Sequence, residues 1–253
     1  MIVACSTLCF GKYPFERALQ TIAELGFSKV DVAIHEEGPH LKPSEVAADV
    51  HTVATRLRLG PGLTPCAFSF TTDAPNAPAD GEFAAVCRLA RLTSVPIVTI
   101  AAASAAIGLD AEARRLKELC AVAARDGVIL TVATLAGTLT ETPDGAVELC
   151  HRVPGLGLTL DPSHYVAGPH PGVSWDALYP YVRHVHLRDT GCGPNQFQVR
   201  IGQGEIEYGK IVSMLARHRY DRVLTVDVRD IPDAPFAMEP EVRKLKYLLE
   251  SLV

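Results

Sequence analysis

Eight short runs rich in β-branched residues recur along the chain at near-even spacing, and this recurrence limits the fold more than any other feature. They are predicted as strands near Ile2–Ser6, Lys29–Ile34, Thr64–Phe70, Ile97–Ala102, Val128–Thr134, Leu156–Asp161, Val182–Leu187 and Val223–Val228. A spacing of roughly 32 residues leaves room for one helix and two short loops between strands, which is the βα unit of a (β/α)8 TIM barrel. The repeat is one of layout, since no strong repeat of residues accompanies it. The intervening segments carry helical signals. Pro14 opens one segment, Phe15, Ala18, Leu19, Ile22 and Leu25 form its apolar face, and Gly26 closes it. Leu109, Ala113, Leu116, Cys120 and Ala123 repeat the pattern up to Gly127, and Thr142-Pro143, Ser174 and Glu239-Pro240 read as further helix starts. A doubly wound open sheet is the other α/β option, but no GxGxxG follows the first strand.

A single barrel domain over residues 1–253 is the expected organisation, because no linker or low-complexity stretch divides the chain. Two segments read as long loops on the face where barrels carry their chemistry: 71–81, rich in Pro, Ala and Asp, and 191–204, rich in Gly and polar residues. The apolar fraction of 48% excludes a disordered chain. Apolar runs such as the one from Val95 to Ala103 are too short to span a membrane. The first five residues read as a strand and not as a signal peptide, so a cytoplasmic location is expected. Seven cysteines, an odd count without a CxxC pair, argue for reduced thiols. A net charge of −5 without a basic cluster argues against a nucleic-acid partner.

The chemistry gathers at the ends of strands five to eight. These read Thr131-Val132-Ala133, Thr159-Leu160-Asp161, His184-Val185-His186 and Thr225-Val226-Asp227. Residues two apart on a strand share a face, so each strand sends one polar residue into the barrel and a second polar or small one toward its mouth. An apolar core has no use for Asp or His, and burying them unpaired is costly. Asp161, His186 and Asp227 are metal-ligand types at equivalent positions, and such a set suits Mn2+, Mg2+, Co2+ or Zn2+. A hydrogen-bonded cluster without metal fits the same pattern.

Two denser motifs surround these residues: Leu160-Asp161-Pro162-Ser163-His164, and His184-Val185-His186-Leu187-Arg188-Asp189 followed by Ile201-Gly202-Gln203-Gly204-Glu205-Ile206. With the fifth-strand stretch from Thr131 to Thr140, they resemble the xylose isomerase-like TIM barrel superfamily, which includes sugar epimerases, inosose dehydratases and apurinic-site endonucleases. The resemblance spans the chain in layout and is specific mainly from Val128 to Val228. In the epimerase branch it implies one divalent metal held by Glu, Asp, His and Glu from these four strands, the two Glu also moving protons. Carried over, the Asp is Asp161, the His is His186 and the second Glu falls on Asp227. Asp227 is one methylene shorter than Glu, about 1.5 Å of reach. The first Glu falls on Ala133, which can neither bind metal nor carry a proton, so the ion is expected to be weakly held.

The resemblance also implies that His164 contacts substrate oxygen, although a hydrogen bond to Asp161 would explain it equally well. His184 lies one layer deeper and reads as structural. Arg188, Arg200 and His35 are candidate substrate-binding residues, and Glu37 could replace the missing acid/base group from across the barrel. Gly202-x-Gly204 suits either an anion cradle or a turn leading into a helix. Tyr165, Trp175, Phe10 and Phe70 could wall the pocket, with ordinary packing the simpler reading. The expected activity is isomerisation or epimerisation of a small sugar, keto-sugar or polyol, with Asp227 and His164 as catalytic groups, or a related lyase reaction. A weakened sugar-binding pseudoenzyme is the alternative that Ala133 favours. The endonuclease branch is excluded, because Ser69-Phe70-Thr71 and Ala101-Ala102-Ala103 supply no second ligand set. The lysine-assisted two-metal branch lacks its lysine. No membrane partner is expected, and a homo-oligomer is compatible with everything above.

Overall fold

The computed structural model describes residues 1–58, 62–71, 81–231, 234 and 236–253. Eight parallel strands close into a barrel in chain order: β1 (Ile2–Ser6), β2 (Lys29–Ile34), β3 (Thr64–Phe70), β4 (Ile97–Ala101), β5 (Ile129–Ala133), β6 (Gly157–Leu160), β7 (Val182–Leu187) and β8 (Val223–Val226). The barrel closes where Ile2 to Cys5 of β1 pair with Val223 to Val226 of β8. The strands start within a residue of the positions read from the sequence.

Helices cover the outside. The first, α1 (Phe15–Glu24), buries Phe15, Ala18, Leu19 and Ile22, and Gly26 beyond its end takes φ 79°, a left-handed turn that glycine adopts without strain. Next come α2 (Pro43–Ala48), α3 (Val50–Arg58), α4 (Gly81–Thr93) and α5 (Leu109–Arg125). In α6 (Pro143–Arg152), Thr142 caps the first turn by accepting the Gly145 N–H, and Pro143 occupies a position that needs no donor. The short α7 (Ser163–Val166) follows β6 directly, and α8 (Tyr208–Arg217) and α9 (Met238–Glu250) complete the ring. Ser174 precedes a 3-10 turn over Asp176–Tyr181 instead of an α-helix, and accepts the Asp176 N–H. Of the two expected loops, 191–204 has no helix or strand. Residues 72–80 of the other lie outside the described residues. No helix among the described residues is long and apolar enough to cross a membrane.

Leu130 and Val132 of β5 and Leu158 and Leu160 of β6 are buried in the large apolar core. Their neighbours Thr131 and Thr159 turn the other way, into the barrel. There Thr99, Thr131 and Thr159 form a closed ring of hydroxyls, with Oγ1 separations of 3.0, 2.8 and 2.8 Å. Each hydroxyl both donates and accepts, so three polar groups satisfy one another without water. This ring is the floor on which the mouth residues stand.

Candidate active site

Above the threonine ring, β2 and β7 meet across the barrel through Asp31. His184 and His186 both direct Nε2 to Asp31 Oδ2, at 3.1 and 2.7 Å, and Ser69 of β3 donates its hydroxyl from 3.1 Å. Asp31 and His184 are fully buried, and Thr225 Oγ1 of β8 lies 3.2 Å from His184 Nε2. Burial would raise the Asp31 carboxyl, but the bonds from His184 and His186 outweigh it and hold the group ionised. Burial also pushes His184 down. For His186, the carboxylates of Asp227 and Asp31 overcome burial and push it up. Asp31, His184 and His186 place their ligand-type atoms within 4.8 Å of one another, close enough to hold a metal ion.

The mouth layer lies one step up. Asp161, just past β6, accepts the Ser163 amide at 3.1 Å and hydroxyl at 2.5 Å on Oδ1, while Arg188 Nη2 donates to Oδ2 at 2.7 Å. Burial opposes ionisation here too, yet Arg188 and His164 hold the Asp161 carboxyl at about 2. Asp227, just past β8, faces Arg188 Nη1 at 3.4 Å and Arg229 Nε at 3.1 Å, both at Oδ2. These cations, with His186, keep Asp227 below the usual carboxylate range despite burial. His164 in α7 has Ala136 N–H 3.4 Å from Nδ1 and Arg188 Nη2 3.2 Å from Nε2. Burial pushes its pKa down, and since a neutral imidazole keeps one N–H it can accept at only one of these two contacts.

Three candidates from the sequence therefore meet around one side chain: Asp161, Asp227 and His164 all contact Arg188. Arg188 is itself buried, and also donates Nε to Phe197 O at 2.9 Å and Nη2 to Ser163 Oγ at 2.7 Å. His186 joins through Nδ1, 3.9 Å from Asp227 Oδ2. A cavity of about 350 Å3 opens beside this group. Leu8, Phe70, Ile100, Ala101, Ala133 and Leu135 form its apolar wall, facing His186, Asp227 and Arg229, with His35 at its edge. Arg200 is not brought to it. That side chain is exposed, its guanidinium carbon 6.0 Å from the centre of the Phe236 ring. Glu37 is exposed and does not line the cavity. Tyr165 and Trp175 stack on each other, and Tyr165 donates to Thr140 O, which is packing. Gly202 and Gly204 donate their amides to Asp189 Oδ2 at 2.7 and 3.1 Å, so the protein's own carboxylate fills the turn that was considered for an anion.

Sequence reasoning missed Asp31, Ser69 and Arg229. A charge inside the apolar run of β2 was the available signal for Asp31. Arg229 lies two residues past Asp227, beyond the end of β8, and a cation so near a strand-end carboxylate was the available signal.

Two atoms test whether these residues suit a divalent ion. His186 donates Nε2–H to Asp31, which leaves Nδ1 on the Asp227 side, where, without its proton, it would stand as a metal-bound imidazole backed by a carboxylate does. Asp227 Oδ1 is buried with no hydrogen-bond partner among the described residues, a costly position for an acceptor unless a cation or donor reaches it. Both atoms fit an ion. Ala133, half-buried at the cavity wall, offers no ligand.

The xylose isomerase-like TIM barrel family model matches residues 19–248. The chain belongs to this family. A xylose isomerase-like TIM barrel protein from Mycobacterium smegmatis, solved in complex with magnesium, superposes with a TM-score of 0.76 at 18% identity, covering 100% of this chain and 98% of that one. The probable 3-DHS dehydratase AsbF of Bacillus anthracis gives 0.74 at 16%, covering 97% and 98%. D-Psicose 3-epimerase of Clostridium cellulolyticum H10, solved with D-tagatose, gives 0.73 at 13%, covering 100% and 99%. At these identities the likeness is one of fold. The uncharacterized protein MJ1311 of Methanocaldococcus jannaschii is 25% identical over 134 residues, 50% of this chain and 45% of that protein, so the match spans less than half of its length.

Proposed function

We propose that this xylose isomerase-like barrel is an isomerase or epimerase of a small sugar, keto-sugar or polyol that moves a proton on a carbon beside a carbonyl, through an enediolate. The observation that carries the reading is Asp227. It is ionised, buried, and placed on the cavity wall with one oxygen unpartnered. A carboxylate held in this way can take a proton without first breaking a hydrogen bond at that oxygen. His164, kept neutral, and Arg188 would bind and polarise substrate oxygen on the β6–β7 side, and His35 would contact hydroxyls at the rim. Asp161, His186 and Asp227 would hold a divalent ion such as Mn2+, Mg2+, Co2+ or Zn2+, which when bound supplies Lewis-acid stabilisation of developing oxyanion charge. A lyase acting on an inosose-like substrate would use the same parts, and dehydratases as well as epimerases share the fold.

Incubation with a panel of ketopentoses, ketohexoses and inososes in D2O with Mn2+ tests the reading. Deuterium should enter the carbon next to the carbonyl of at least one substrate, and Asp227→Asn should abolish it. One specific observation, Ala133 on the cavity wall in place of an acid, favours a second reading as a sugar-binding pseudoenzyme. Calorimetric binding of a panel sugar with no deuterium uptake by any would decide for that reading.

A further inference from the structure

We propose that Arg188 competes with a divalent ion in this site: its guanidinium bridges Asp161 and Asp227, so an ion shared by those two carboxylates binds against it. This rests on reading Asp161, His186 and Asp227 as the ion-binding set.

Geometry gives the first argument. Arg188 Nη2 lies 2.7 Å from Asp161 Oδ2 and Nη1 lies 3.4 Å from Asp227 Oδ2, one arm on each carboxylate. The remaining donors are fixed as well, Nε on Phe197 O and Nη2 also on Ser163 Oγ and near His164 Nε2. A planar fork engaged at Nε, Nη1 and Nη2 and 5% exposed is part of the framework of the site. A divalent ion between the same two carboxylates would lie within a few ångströms of that positive charge and be repelled by it.

Charge gives the second. Asp161 and Asp227 are matched by Arg188 and Arg229. The mouth is therefore balanced before any ion arrives. A fifth-strand carboxylate would leave negative charge over for a cation to neutralise, but residue 133 is alanine. Ala133 and Arg188 thus act in the same direction: one removes a ligand, the other neutralises two that remain.

The test is a titration of metal-free protein with Mn2+ alone, free Mn2+ being read by electron paramagnetic resonance, for the wild type, Arg188→Met and Arg188→Lys. Circular dichroism establishes that each is folded. Arg188→Met leaves Asp161 and Asp227 without their bridge, and should bind Mn2+ about tenfold more tightly than the wild type, or better. Arg188→Lys keeps a charge but cannot reach both carboxylates in parallel, and should fall between the two. Wild-type binding that Arg188→Met leaves equal or weakens would overturn the proposal while the ion-binding reading stands. Failure of all three to bind millimolar Mn2+ would overturn the ion-binding reading, and the proposal with it. Should Arg188→Met not fold, Arg188→Lys decides alone. Tighter binding than wild type supports the proposal, and equal or weaker binding overturns it.

Discussion

His186 reaches across the barrel from β7 to place Nε2 2.7 Å from Asp31 Oδ2 on β2, and this bond determines which nitrogen it presents to Asp227. The two residues thus act as one unit, a buried carboxylate that orients an imidazole at the mouth and helps to push its pKa up.

Asp31→Asn should disrupt that unit. Breaking a buried pair by altering one partner costs about 3 kcal/mol or more. The variant should melt several degrees lower, and the His186 imidazole should lose protons at lower pH than in the wild type, because a carboxylate that raises its pKa has gone. Thermal denaturation and an NMR titration of the imidazole protons check both. An unchanged His186 titration would show that Asp31 does not control it.

Ala133→Glu should strengthen the ion site from the other side. Thr131 and Ala133 share a face of β5, Thr131 belongs to the hydroxyl ring and Ala133 lines the cavity, so a longer side chain there points into open space. The added carboxylate should tighten Mn2+ binding by about tenfold or more in calorimetry. Equal affinities would mean that residue 133 does not reach the ion.

Acid should unfold the protein in a defined window. The folded-state pKa of Asp161, about 2, lies below the unfolded value, so its contribution to stability is present above that unfolded value and disappears as pH falls toward 2. The contribution is on the order of 2 kcal/mol, and Asp31 and Asp227, also lowered, add with the same sign. Urea midpoints should therefore drop steeply below about pH 4, beyond the gentler decline that buried, neutral His164 and His184 impose between about pH 6 and 4. A midpoint flat down to about pH 2.5 would contradict the assignment.

Thr131→Val tests the floor. It removes one hydroxyl from the ring and leaves Thr99 and Thr159 bonded to each other at 2.8 Å. The expected loss is about 1 kcal/mol, seen as a small shift in the urea midpoint, with Mn2+ affinity unchanged. A change in Mn2+ affinity would show that the ring positions the mouth and does not merely fill the barrel.

The barrel was legible because each strand carries its own signal: β-branched runs, glycines after helices, and Thr142-Pro143 at a helix start. Two-residue periodicity also identified Asp161, His186 and Asp227 as facing one way. What it does not encode is which residue from a distant strand lies opposite. Asp31 precedes its partner His186 by 155 positions, and nothing local to β2 announces two histidines. For the same reason the bridge made by Arg188 could not be read, since it joins carboxylates 27 and 39 positions away in opposite directions. Arg200 sits in a polar loop near the motifs, and only the path of that loop shows that it turns to Phe236.

The link between Asp31 and His186 bears on the order in which the chain acquires its structure. A ribosome releases β2 long before β7, so Asp31 is made well ahead of the two histidines it bonds in the folded barrel. An early compact state built from β1 to β4 alone would trap an acid facing an unfinished interior. Such a state holds Asp31 through Ser69 alone of the partners described above, and its two histidines come only with β7, nearly three quarters of the way along the chain.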